Sequence, residues 1–151
     1  MKSLIQNQVL TYLREHNVMT LATMSPEGPW AASVFYVNDE FNLYFLSAPA
    51  TRHSTNLKLN SKVSVTIQED YREWSEIKGI QLAGNAYQLE KGEVNKVIVR
   101  YNEKFPIIGK QAPREIVTAL SKVAWYRVDP ERLYFIDNAL GLGHREEIFL
   151  N

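Results

Sequence analysis

The spacing of apolar positions along this chain changes several times, and each change marks an element. Near the start, Ile5, Val9, Tyr12 and Leu13 share one helical face, and Ser3 and Gln6 stand at capping-box spacing, so a helix is expected up to about Asn17. The pattern then alternates. Met19 to Met24 reads as a strand, Ser25-Pro26-Glu27-Gly28-Pro29 as a turn, and Trp30 to Val37 as a second strand. Asn38-Asp39-Glu40 turns the chain into a third strand, Phe41 to Ser47. A short helix opens at Ala50-Thr51-Arg52-His53, and Lys62 to Ile67 resumes the alternation, so one helix interrupts an otherwise local β-meander.

Ile77 to Leu89 alternates as a longer strand in which Gly79 and Gly84 allow bulges or close backbone approach. Val94, Val97, Ile98, Tyr101 and Phe105 return to helical spacing, and Pro106 ends that helix. A shorter helix is expected from Pro113 through Leu120. Two closing strands follow, Val123 to Val128 and Leu133 to Asp137, with Asp129-Pro130-Glu131-Arg132 as the turn between them. Asn138 to Asn151 reads as a tail or loop.

At 151 residues this pattern is expected to form one domain, residues 1–151. Seventeen basic and 17 acidic residues cancel, which argues against a nucleic-acid or anionic-membrane surface. There is no cysteine, so disulfide, thiolate and zinc-thiolate chemistry are excluded, in keeping with a reducing cytoplasm. His16, His53 and His144 are too dispersed for a metal cluster. The start carries no long apolar run, and the expectation is a cytoplasmic protein without a membrane anchor.

One segment departs from the neutral average. Phe41 to Gln68 has no acidic side chain but contains Arg52, Lys58, Lys62 and the titratable His53. Thr51 stands at the N-cap position, where its hydroxyl and the free amides of the next turn could meet an anion beside the planar fork of Arg52. Two readings stay open on this chemistry: a phosphate corner, or a capped helix with solvated cations. Trp30, Trp74 and Trp125 are candidates for stacking on a planar ligand or for core and interface packing. Gly141 and Gly143 do not complete a dinucleotide fingerprint, and no serine triad, carboxylate pair or nucleotide-phosphate lysine loop can be assembled.

Leu21-Ala22-Thr23, Gly28-Pro29, Ser33-Val34-Phe35-Tyr36, Leu43-Tyr44-Phe45 and Thr51-Arg52-His53, followed by Asn56-Leu57 and Val63-Ser64-Val65, together resemble the pyridoxamine-phosphate-oxidase-like FMN-binding split barrels. Pro130-Glu131-Arg132-Leu133-Tyr134-Phe135 resembles the last barrel strand of that family. The resemblance implies a mainly β fold with α, a six-stranded antiparallel split β-barrel with flanking helices. It further implies a homodimer that holds FMN in clefts between two subunits and acts on a small-molecule redox substrate.

Carried over by position, the flavin phosphate falls on Thr51, Arg52 and His53, the last standing where the family has lysine. The isoalloxazine edge falls on Ala32, Ser33 and Val34, and the ring or ribityl chain on Leu46 and Ser47. Lys78 and Gly79 match a stretch that reaches the cofactor from the partner subunit, and Arg145 matches a late arginine near the flavin. Two departures argue against pyridoxamine-phosphate oxidation: Ile136 is aliphatic where that oxidase is aromatic nearby, and no arginine-rich segment lies between Tyr101 and Pro113. The resemblance therefore implies an FMN-dependent oxidoreductase of unassigned substrate, with a non-catalytic module for flavin, haem or a phospholigand as the alternative.

Overall fold

A computed structural model describes residues 1–106 and 113–150. Helix α1 (Leu4–Glu15) begins with the expected capping box: the Ser3 amide donates to Gln6 Oε1 at 2.7 Å and the Gln6 amide donates to Ser3 Oγ at 3.2 Å. Strands β1 (Val18–Ser25) and β2 (Gly28–Phe35) form a hairpin, with Gly28 at a φ of 112° in its turn. Then come β3 (Val37–Asp39), β4 (Asn42–Ser47), α2 (Arg52–Leu59), β5 (Lys62–Gln68) and β6 (Lys78–Gln88). Helix α3 (Lys91–Lys104), α4 (Arg114–Leu120), β7 (Ala124–Asp137) and β8 (Arg145–Ile148) complete the order.

All pairings are antiparallel, in the order β2-β1-β5-β6-β7-β4-β3, with β8 added to β7. The two edges, β2 and β3, are separated in sequence only by Tyr36. A sheet whose opposite edges are one residue apart in the chain must curl until those edges meet. Tyr36 is fully buried at this seam, where its amide donates to Asn17 O at 3.0 Å and its hydroxyl donates to Leu13 O at 2.8 Å. The six long strands make the expected split barrel, and the short β3 and β8 are additions to it.

Inward residues of the strands fill the barrel: Met19 and Leu21, Leu43 and Phe45, Val65 and Ile67, Ile80 and Leu82, and Val128 and Leu133. Alternation in β5 is complete, with Val63, Val65 and Ile67 buried between exposed neighbours. Helix α1 seals one end through Val9, Leu10, Tyr12 and Leu13. Helix α3 covers the outside of β3, β4 and β7, where Val97 and Tyr101 pack with Val37, Tyr44 and Trp125 in a second core. Trp125 is therefore a core residue, its ring edge-on to Tyr101 at 5.2 Å.

Three expectations are corrected. Asn38 and Asp39 belong to strand β3, and the turn falls one step later, where Glu40 takes a φ of 51°. Asp129 to Arg132 is no turn, because β7 runs through it. The β4 pairing stops at Val128 and the β8 pairing starts at Leu133, so β7 changes neighbours across this stretch; Pro130, which has no N–H, falls where β6 is its only partner. The tail is not irregular throughout: Asn138–Leu140 forms a 3-10 turn and Arg145–Ile148 forms β8. Residues 107–112, part of the Tyr101 to Pro113 stretch expected to lack an arginine cluster, and Asn151 lie outside the described residues.

Candidate functional site

The end of β4 and the start of α2 build the phosphate-type corner that the sequence singles out. Thr51 has extended backbone, as an N-cap requires, and its Oγ1 accepts from the Ser54 amide at 3.3 Å. That oxygen also lies 3.0 Å from Ala48 O and 2.8 Å from Ser54 Oγ. The Thr55 amide is taken by Thr51 O, which leaves the amides of Arg52 and His53 at the positive end of α2 without an acceptor among the described residues. The cap is real, and two donors remain beside it.

Arg52 is half-buried, and its guanidinium lies over the indole of Trp30, 4.2 Å from the ring centroid. The pairing follows from strand register. Trp30 sits opposite Thr23 in the β1–β2 hairpin, and Thr23 faces α2, accepting from Asn56 Nδ2 at 3.0 Å. The Nε of Arg52 is buried without a hydrogen-bond partner among the described residues.

His53 turns the other way. It is 8% exposed, its Nε2 is hydrogen-bonded to Ser47 Oγ at 2.7 Å, and Thr51 Oγ1 lies 3.3 Å from the same nitrogen. Burial pushes the His53 pKa below its ordinary value, favouring the neutral ring. The corner thus offers one fixed side-chain cation and two backbone amides, with the Thr51 hydroxyl engaged by Ala48 O and Ser54. This donor set suits the terminal oxygens of a phosphate, with Arg52 Nε in need of an acceptor.

The remaining predicted residues divide between faces. Ala32 and Val34 lie on the inner side of β2 with Trp30, and Val34 packs against the barrel core, while Ser33 faces outward in register with Thr20. Leu46 packs into the second core, and Ser47 faces His53. Lys78 and Gly79 stand near the far end of the barrel: β5 leaves α2 at Lys62 and comes level with Gly79 only at Gln68, about 20 Å further along the strand. Lys78 helps line two cavities of about 340 and 440 Å³ beside α1, shared with Tyr12 and Glu15. Arg145 lies over Tyr134 at 4.4 Å and pairs in register with Ile136, at the level of Gly79.

Ser47, Thr51, Arg52 and His53 are brought together, with Trp30 added by the fold. Lys78, Gly79 and Arg145 are not part of that group within one chain. Trp30 was visible only as an aromatic; its role depends on a hairpin register that no local pattern reveals. Among the described residues, no group of three or more metal-ligating side chains forms, and no helix is long and apolar enough to cross a membrane.

The curled antiparallel sheet with its α2 corner defines a split-barrel protein, and the chain belongs to the pyridoxamine 5'-phosphate oxidase family, whose model matches residues 5–137. Within that class it falls in the UPF0306 group: it is 33% identical over 137 residues to a UPF0306 protein of Photorhabdus laumondii, covering 89% of this chain and 88% of that one. Among solved structures, the conserved hypothetical protein Rv2991 of Mycobacterium tuberculosis superposes with a TM-score of 0.76 at 20% identity, covering 95% of this chain and 91% of that one. The haem storage protein HutZ of Vibrio cholerae superposes with a TM-score of 0.69 at 23% identity, covering 84% and 91%. These two likenesses establish the fold.

Proposed function

We propose that this chain is an FMN-binding, oxidoreductase-like protein that holds the flavin at the cleft of a homodimer, with its phosphate at the α2 corner. The observation that carries the reading is the buried Nε of Arg52, which has no acceptor among the described residues, beside the open amides of Arg52 and His53. FMN supplies the redox chemistry when bound, so the protein's part is binding and orientation. Thr51 and Arg52 grip the phosphate, and His53, neutral and tied to Ser47, shapes the floor of the corner without adding charge. The backbone of β2 from Ala32 to Val34 lies on an edge strand with one side unpaired, which leaves main-chain donors and acceptors for the ring.

Lys78, Gly79 and Arg145 join the site from the second copy in this reading, since their own corner is far along the barrel. Titration of the purified chain with FMN, followed by flavin fluorescence and visible absorbance, tests the proposal. Saturable binding supports it, and absence of binding at high FMN concentration near neutral pH contradicts it. The fold likeness to HutZ favours a second reading, a non-catalytic module for haem or a phospholigand. A Soret band without flavin absorbance would select it.

A further inference from the structure

The two side chains at the mouth of the corner, Trp30 and Arg52, are tied to each other more directly than either is to the helix cap. The guanidinium stacks 4.2 Å from the indole centroid, its Nε is buried with no acceptor among the described residues, and Trp30 itself is 42% exposed at the rim. Stacking occupies the face of a guanidinium and leaves its in-plane N–H groups directed outward. Because His53 faces Ser47, Arg52 is, among the described residues, the cation of this corner that could discriminate a phosphorylated ligand from its unphosphorylated counterpart. Lys58 stands in the last turn of α2, at the other end of the helix.

We propose that Trp30 is a positioning residue that holds Arg52 in the phosphate-gripping orientation, and so sets the selectivity of the corner for ligands ending in a phosphate monoester. The proposal rests on the phosphate corner just described, but it does not require the ligand to be a flavin. Trp30 acts through Arg52 and needs no contact with the ligand. Removing the indole releases the guanidinium to solvent, where its positive charge persists but its geometry is lost.

Two measurements on the full chain test this. The first is the Arg52 Nε–H resonance in ¹⁵N-labelled protein, assigned by its loss in Arg52→Lys and titrated with inorganic phosphate. The wild-type signal is expected to shift saturably, Trp30→Ala to abolish the shift, and Trp30→Tyr to restore it. The second compares FMN with riboflavin. Trp30→Ala is expected to weaken FMN about 3- to 30-fold, to leave riboflavin unchanged, and to add nothing in the Trp30→Ala/Arg52→Ala double variant.

An unshifted wild-type resonance, an equal phosphate response in Trp30→Ala, or additive losses would overturn the proposal. Should Trp30→Ala fail to fold, Trp30→Leu, which retains bulk without an aromatic face, is expected to behave as Trp30→Ala does and Trp30→Tyr as wild type; identical behaviour of the two would overturn it. Failure of both flavins to bind, with the phosphate shift intact, removes the flavin reading and leaves the Trp30–Arg52 assignment standing.

Discussion

The imidazole of His53 and the hydroxyl of Ser47 are hydrogen-bonded at 2.7 Å inside the barrel mouth, so this histidine is committed to the fold and not to solvent. This histidine is buried and its pKa is lowered by that burial.

The pair sets a pH dependence of stability. Below the ordinary histidine pKa of 6.5 the unfolded chain takes up a proton at His53 that the folded chain resists, because the folded value is lower. The contribution of this group is therefore fully present above about pH 6.5 and is lost as pH falls toward and through the depressed value. Urea midpoints measured from pH 7.5 down to 5.5 are expected to fall in the wild type and to fall less in His53→Gln. An equal decline in both would show that another group governs the transition.

Ser47→Ala is expected to cost about 1 to 2 kcal/mol, since it leaves a buried ring nitrogen short of its partner. A denaturant midpoint reads the loss directly. An unchanged midpoint would mean that the Ser47 contact contributes nothing measurable to folding.

Lys104 ends α3 by donating to Leu13 O at 3.3 Å and to His16 O, with its ammonium over the Tyr36 ring at 4.2 Å. One side chain thus links α3, the end of α1 and the barrel seam. Lys104→Met is expected to destabilise the chain by about 1 to 3 kcal/mol near neutral pH. Burial brings the Lys104 pKa down from 10.5 to about 8, so between those values the folded chain binds fewer protons than the unfolded one and this group's contribution rises with pH. Stability curves from pH 8 to 10.5 are expected to show that rise in the wild type and to lack it in the Met variant.

Gly84 lies at the bulge where β6 meets β7, and a Cβ there would stand 2.1 Å from Asp129 O and 2.9 Å from Pro130 Cα. Both obstacles are backbone, so relief requires the strands to part. Gly84→Ala is expected to lose about 2 to 4 kcal/mol in chemical denaturation. A variant as stable as the wild type would refute the close approach.

Particular residues show how much of this was legible in the chain itself. The Ser3–Gln6 box, the strict alternation of β5 and the Thr51 cap are local signals, each decided by neighbours within a few residues, and the structure repeats them. Strand β3 was hidden because the turn-forming residues Asn38 and Asp39 are drawn into pairing with Leu43 and Asn42 by a tight hairpin whose turn falls at Glu40. Strand β8 was hidden because Arg145, Glu146 and Glu147 are all exposed and carry no apolar alternation, the strand being fixed by its pairing with β7. Asp129-Pro130 has the composition of a turn but serves as the point where β7 exchanges β4 for β8.

At the corner, the identity of Arg52 was legible and its geometry was not. The stack on Trp30 requires the β1–β2 register, and the inward turn of His53 requires Ser47 at the end of β4. Both are products of the folded barrel.

In the proposed reading the α2 corner binds FMN through Arg52. Its most direct test is the FMN dissociation constant of the wild type beside Arg52→Ala, each with an absorbance spectrum of the loaded protein. A flavin spectrum is expected for the wild type and an affinity weaker by about 1 to 3 kcal/mol for the variant. Equal affinity in the two, or a wild type that takes up no FMN, would contradict it.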